Sequence, residues 1–502
     1  MISHVDSVAL VGLDGFGVTI EIDSSQGLPG ITIVGLPDAA IQESKERIRL
    51  ALRNSEISLP SKRFVINLAP AEIKKIGTAY DLPMAVSILM ELGIVPEQTE
   101  KTLYVGELAL DGSLRGIKGV LPTVLFAKEN GYARVVVPWK NRHEAAVISG
   151  VDVYPIKSLQ ELIPFLNGGA REPFRAKISD TENGQKQSGA VDMAYVQGQQ
   201  AAKRALEIAA AGGHNVLLSG PPGSGKTLLS RSMVTILPPM DEEEIVEVSR
   251  VYSIQGMLSE SDPFVRERPF RSPHHTASQV SLIGGGSHPR PGEVSLAHRG
   301  VLFLDEFPEF PRTVLESLRQ PLEDKVVHVS RIQHTVQYPA DFMLVASQNP
   351  CPCGFLSDPE RECTCSQFQI ERYQQKISGP MLDRIDLLVR VDRVKTEDLS
   401  SKDLAESSES IRKRVVNARE VQSKRFDGSG MKTNSQMSLK EIRDFADISD
   451  EAEKFLATAI DRMKLSARVY HRVLKVARTI ADLETCKEIE TSHVAEALQY
   501  RW

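Results

Sequence analysis

The chain has 502 residues, enough for roughly two to four domains. Hydrophobic residues make up 41% and charged residues 25%, an ordinary globular balance, and the formal net charge of −6 neither requires nor excludes nucleic acid as a partner. No apolar run of about 18 residues occurs, which excludes a membrane-spanning helix.

The opening residues, Met1 to Asp6, lack a basic region followed by an apolar core, so no secretory signal is expected and the reading is cytoplasmic. Residues 1–168 alternate strand-like runs (Val18–Ile22, Ile31–Val34, Phe64–Asn67, Arg134–Val137) with helical runs (Ala39–Asn54, Leu82–Leu92). That alternation predicts an α/β domain, and it carries no nucleotide motif. Residues 169–189 are rich in Gly, Ser, Gln, Lys and Glu and read as a linker.

Residues 190–395 read as a nucleotide-binding domain. The run Gly220, Pro221, Pro222, Gly223, Ser224, Gly225, Lys226, Thr227 fits G-x-x-x-x-G-K-[ST]. An apolar run, Asn215 to Ser219, precedes it and a helix-forming run from Leu228 follows. Backbone N–H groups of such a loop close around phosphate oxygens, and the helix N-terminus adds positive potential. Lys226 then reaches the β- and γ-phosphates of ATP and Thr227 holds Mg²⁺. Downstream, Val301 to Leu304 reads as a buried strand tipped by two carboxylates. Asp305 suits Mg²⁺ and Glu306 suits a base that orients water.

Three later features belong to the same domain. The buried run Phe342 to Ala346 ends in polar residues, of which Asn349 is placed to hold the attacking water. Arg384, between Asp383 and Asp386, suits an arginine finger reaching a neighbouring subunit; the alternative is an ion pair with one of those two aspartates. Cys351, Cys353, Cys363 and Cys365 form two C-x-C pairs in a short loop, residues 351–365, and can satisfy the tetrahedral demand of structural Zn²⁺; the alternatives are free thiols or a redox-labile pair. Cys486 stands alone and reads as a small apolar residue.

Arg266, Arg268, Arg271, His274 and His275 cluster beside Gly284 to Gly286, and a candidate hairpin runs from Lys325 to Arg331. Arg268, Arg271, Lys325 and Arg331 are the candidate DNA contacts, able to follow a phosphate backbone without reading sequence. The competing reading gives these charges to intersubunit ion pairs or solvated loops, and the His pair to a structural role rather than metal. Residues 396–502 show helical periodicity, with about five helices at 411–425, 439–445, 451–465, 467–483 and 492–500.

The chain resembles the ComM/YifB-type family of magnesium-chelatase-like AAA+ ATPases. The resemblance is carried by Gly220 to Thr227, Arg271-Ser-Pro-His-His-Thr276, Pro291 to Val301, Leu304-Asp-Glu-Phe307, Asn349-Pro-Cys-Pro-Cys-Gly354, Leu382-Asp-Arg-Ile-Asp386 and Ser466 to Arg478. It implies an AAA+ core with a C-terminal helical lid, assembled as a homo-hexamer with ATP between subunits. It also implies Asn349 as sensor 1, Arg384 as finger and Arg468 as sensor 2; the alternative for Arg468 is an exposed helix charge.

The N-terminal region resembles the C-terminal fold of Lon proteases. Ala79 stands where that fold carries its serine and Leu121 where it carries its lysine, so peptidase activity is not expected. The resemblance further implies a branch-migration helicase acting on single-stranded or branched DNA in natural transformation and recombination, alongside recombination proteins. The alternative is a chelatase-type ATPase that remodels protein partners.

Overall fold

In the run Val18-Thr-Ile20-Glu-Ile22 every second side chain is buried, the period that a strand with one covered face imposes. That run lies in β2 (Asp14–Gln26), which pairs antiparallel with β1 (Ser3–Val11) in register Ser3 with Ile22. The computed structural model describes residues 3–176, 191–286, 289–330, 335–356, 358, 360–393 and 404–501. Most of the expected linker and the stretch 394–403 lie outside the described residues. The chain divides into two units. One comprises Met1–Gln185, Glu242–Arg266 and Ser330–Tyr338; the other comprises Lys186–Asp241, Glu267–Val329 and Pro339–Trp502.

The first unit is built on a mixed seven-stranded sheet. Besides β1 and β2 it holds β3 (Gly30–Val34), β4 (Lys62–Ala69), β5 (Thr102–Tyr104), β6 (Arg134–Pro138) and β7 (Asp152–Ile156), in the order β3-β4-β2-β1-β5-β6-β7. Helix α1 (Ala39–Asn54) starts where the Asp38 carboxylate accepts the Ile41 N–H at 2.9 Å, an N-cap, and buries Ile41, Ser44, Ile48, Ala51 and Leu52 on one stripe. Helix α2 (Asp81–Glu91) is buried along nearly its whole length. Ala79 is half-buried just before it, and Leu121 is fully buried in helix α3 (Val120–Glu129).

Residues 242–266, read from sequence as part of the nucleotide domain, fold with this unit. The Ser253 hydroxyl reaches the buried Glu144 carboxylate at 2.5 Å, and Arg142 pairs with Glu260.

The second unit holds five parallel strands: β8 (Val216–Ser219), β9 (Phe270–Arg271), β10 (Val301–Leu304), β11 (Met343–Gln348) and β12 (Leu387–Arg390), in the order β9-β10-β11-β8-β12. β8 and β10 are buried at every position, as strands covered on both faces are. β11 lies between the phosphate-loop strand β8 and the carboxylate strand β10. That order brings the three strand ends bearing Gly220, Asp305 and Asn349 side by side.

Five α-helices follow at Ser408–Arg425, Leu439–Phe445, Asp450–Met463, Ala467–Leu483 and Thr491–Gln499, and they share one apolar core with the sheet. Inside this region Arg478, 1% exposed, donates from Nε to Asp482 at 3.1 Å, and Asp482 also accepts from Arg425 and Asn434. A buried carboxylate with this many donors offsets the desolvation it costs.

Candidate functional site

Gly223 and Gly225 carry φ of +79° and +89°, and a Cβ at either would meet no atom within 4 Å. The loop therefore takes a left-handed path around open space, which only glycine allows at low cost. The space belongs to a cleft of about 410 Å³ lined by the loop, Asp305, Glu306, Ser347, Gln348 and Asn349. Lys226 opens helix Lys226–Ile236. Its ammonium donates to the carbonyls of Gly220 and Pro221 at 2.7 and 2.8 Å and to Asn349 Oδ1 at 3.3 Å. Burial pulls this ammonium down to about 8, with Asp305 opposing the shift. The Ser224 hydroxyl is buried and has no hydrogen-bond partner among the described residues. An open cradle, an orphaned hydroxyl and a buried ammonium fit a phosphate group.

The carboxylates close the other side. Thr227 Oγ1 donates to Asp305 Oδ2 at 3.0 Å, which brings together two oxygens suited to Mg²⁺. The Ser347 hydroxyl donates to the other Asp305 oxygen and also accepts the Glu306 N–H at 3.4 Å. Glu306 has φ +52°, and its side chain is 56% exposed. His275 Nδ1 stands 3.1 Å from Glu306 Oε2. Sequence reading named neither Ser347 nor His275 as part of the site. The strand-end position of Ser347 was a usable signal; the tertiary pairing of His275 was not.

The cysteine loop adjoins this cleft. Cys351, Cys353 and Cys363 sulfurs lie 3.4 to 3.6 Å apart, and all four cysteine sulfurs lie within 4.8 Å of one another. A tetrahedral zinc thiolate site has sulfurs roughly 3.8 Å apart, so the cluster is compatible with zinc. Backbone hydrogen bonding at Phe355 is the main influence holding the Cys353 thiol down to about 6. Gly354, with φ +84°, lies so close to the phosphate loop that a Cβ there would stand 2.6 Å from Pro222 Cδ.

A second group, Glu484, Cys486 and His493, also lies within ligand distance. His493 Nδ1 accepts the Glu490 N–H at 2.9 Å, which puts the ring proton on Nε2 facing Glu484 at 3.1 Å. The ring therefore has no lone pair to offer a cation.

The expected finger and sensor arginines lie elsewhere. Arg384, 12% exposed, donates to the Pro380 carbonyl at 2.6 Å and pairs with Glu323, not with Asp383 or Asp386. It lines a separate cavity of about 510 Å³ with Lys325, Arg472 and Lys475. There Arg472 Nη1 is buried and has no hydrogen-bond partner among the described residues. Burial pushes Asp386 up, but His214, Arg472 and Arg501 together hold it well below the usual carboxylate range. Arg468 is 73% exposed and stands 3.4 Å from Asp383.

Of the candidate DNA contacts, Arg268 donates to the carbonyls of Pro238, Arg299 and Pro239 at 2.6, 2.8 and 3.3 Å. Arg271 makes a two-pronged pair with Glu293 at 2.6 and 2.9 Å. Lys325 stands 3.5 Å from Asp341. These three cations hold their own chain together, and Arg331 lies outside the described residues.

Three family descriptions match in sequence order: "Subunit ChlI of Mg-chelatase" over residues 20–141, "Magnesium chelatase, subunit ChlI" over 192–399 and "Magnesium chelatase, subunit ChlI C-terminal" over 405–501. Similar full-length proteins include one from Mycobacterium tuberculosis, 43% identical over 99% of this chain and 97% of its own length. Competence protein ComM of Haemophilus influenzae is 42% identical, with 99% and 97% covered, and YifB of Escherichia coli is 41% identical, with 100% and 97% covered. Among the described residues no helix is long and apolar enough to cross a membrane.

Proposed function

The chain belongs to the ComM/YifB-type family of magnesium-chelatase-like AAA+ ATPases, and from that premise we propose that it is an ATP-driven hexameric DNA motor, a branch-migration helicase of transformation and recombination. The observation that carries the ATPase reading is the cleft where Lys226, Thr227, Asp305, Glu306 and Asn349 converge. The name of the Haemophilus relative, a competence protein, favours DNA as the substrate.

The cradle from Gly220 to Thr227 binds the phosphates, and Lys226 leaves its loop carbonyls to neutralise them. Thr227 and Asp305 hold Mg²⁺, which would supply charge neutralisation at the β- and γ-phosphates. Ser347 fixes the Asp305 carboxylate. Glu306 orients water and takes its proton, and Asn349 holds that water from the other side.

Arg384 acts on the nucleotide of a neighbouring subunit, a role supported by its place outside its own cleft, and Arg468 acts as sensor 2. The four cysteines hold one structural Zn²⁺ that braces Gly354 against the phosphate loop. The first unit is a Lon-like domain without a peptidase dyad, serving assembly or partner contact. The reading is tested by ATP hydrolysis measured with and without forked DNA: stimulation by the fork supports it, and indifference to the fork favours remodelling of protein partners.

A further inference from the structure

The cavity lined by Arg384 is separate from the phosphate-loop cleft and lies wholly within the second unit. Four cations line its 510 Å³, Lys325, Arg384, Arg472 and Lys475, against two carboxylates, Glu323 and Asp386. Both carboxylates are already engaged. Glu323 pairs with Arg384. Asp386 accepts the Asn215 N–H at 3.2 Å and stands 3.4 Å from His214 Nδ1. Its distance from Arg472 Nε is 4.0 Å, the outer limit of an ion pair.

The helix Ala467–Leu483 supplies Arg472 and Lys475, three positions apart and hence on one stripe, where like charges repel. Water screens them little, since the Arg472 side chain is 16% exposed. Burial is the main influence lowering the proton affinity of both; Asp386 opposes it, while Arg472 and Lys325 push the Lys475 ammonium further down. Lys475 uses one of its three donors, on the Ser435 carbonyl at 2.8 Å. Lys325 stands 3.5 Å from Asp341, which also takes Arg299 at 2.9 Å. Neither Arg472 Nη1 nor Arg384 Nε has a hydrogen-bond partner among the described residues. Gathering these cations costs free energy that the carboxylates of the lining offset only in part, the mark of a site built for a ligand.

We propose that this cavity binds a small phosphate anion, either free or as the phosphate tail of a nucleotide. Lys475 and Lys325 supply the donors, and Arg472 supplies positive potential from the wall. The lining carries an excess of two positive charges. One phosphate group, at roughly −1.5 to −2 near neutral pH, matches that excess better than a single carboxylate does. The volume falls in the range of small-ligand sites, roughly 300–1,000 Å³. The site belongs to one chain alone and so goes beyond the role of Arg384 toward a neighbour's nucleotide. An anion held here would also keep Arg384 in its own chain and slow hydrolysis next door; that consequence, unlike the binding itself, rests on the finger reading.

The test uses full-length Lys226→Ala protein, in which the phosphate-loop cleft of every subunit has lost its cation, and titrates it with pyrophosphate and with ADP by calorimetry. Saturable binding of about one pyrophosphate per chain is expected, weakened about tenfold by adding Lys475→Gln or Lys325→Gln. An unchanged melting temperature shows that each variant keeps its fold. If Lys475→Gln unfolds the chain, Lys325→Gln, whose side chain is 29% exposed, decides alone. ADP binding more tightly than pyrophosphate assigns the site to a nucleotide's tail, and weaker ADP binding assigns it to the free anion. No binding of either ligand, binding that neither lysine change weakens, or displacement of pyrophosphate by a lower concentration of single-stranded oligonucleotide would each overturn the proposal. Should Arg384 prove not to act on a neighbour, this binding is still expected, so the two readings fail separately.

Discussion

Nδ1 of His275 lies 3.1 Å from Oε2 of Glu306, the carboxylate proposed to activate water. The Glu306 side chain is 56% exposed, so this imidazole fixes a rotamer that solvent would otherwise leave free. His275→Ala should lower kcat about tenfold with little change in KM, since ground-state binding is untouched. His275→Asn, which keeps a donor, should recover part of the loss. Steady-state kinetics decide: a higher KM at unchanged kcat would place His275 in nucleotide binding instead.

Lys226 should report on phosphate through its proton. Burial holds its ammonium down at about 8, and a bound triphosphate raises it. Below pH 8 the free protein is already charged and binding takes up no proton. Above pH 8 the free lysine is neutral, so ATP binding must take up a proton and affinity falls as pH rises. Calorimetry at pH 8.5 in buffers of different ionisation enthalpy should show that uptake, and Lys226→Ala should abolish binding. Glu306→Gln should bind ATP and barely hydrolyse it.

Arg384 is proposed to serve a neighbour. Arg384→Ala should bind nucleotide nearly normally and lose hydrolysis. Mixed with Lys226→Ala chains it should regain activity, because some sites then join an intact Lys226 to an intact Arg384. No recovery in mixed rings shown to have formed would place Arg384 in its own chain's structure, beside Glu323.

Elemental analysis of anaerobically purified protein should find about one zinc per chain. Cys353→Ala should release it and slow hydrolysis indirectly, through the contact of Gly354 with Pro222. Gly354→Ala should slow hydrolysis while keeping the metal, since its methyl group has no room beside that proline.

Arg268 donates to three backbone carbonyls. Arg268→Ala should therefore destabilise the fold by about 1 kcal/mol, because three backbone carbonyls, two of them half-buried, lose a charged donor. Denaturant unfolding would show it, and a change in DNA affinity at unchanged stability would restore Arg268 as a phosphate contact.

Local pattern carried much of the secondary structure. The sequence reading placed helices at Ala39–Asn54, Leu439–Phe445 and Ala467–Leu483, and those bounds recur in the structure, because apolar spacing and end residues mark both termini. The phosphate loop and the carboxylate pair were legible as motifs with their flanking strands.

What was not legible depends on distant partners. Nothing in residues 242–266 says which core they join, and their ties to Glu144 and Arg142 arise only on folding. Arg384 was weighed against its neighbouring aspartates, yet pairs with Glu323, sixty-one positions upstream. The basic residues Arg268 and Arg271 read as free charges until their carbonyl and carboxylate partners are seen.

The central claim is that hydrolysis in this cleft drives movement on DNA. The most direct measurement follows a labelled Holliday-type junction with wild-type protein and with Glu306→Gln, each with ATP and Mg²⁺. The account predicts that wild-type protein resolves the junction into its product duplexes only when ATP and Mg²⁺ are present, and that Glu306→Gln binds the junction without moving it. An assembled, ATP-hydrolysing ring that leaves the junction intact, and whose rate no DNA alters, would contradict it.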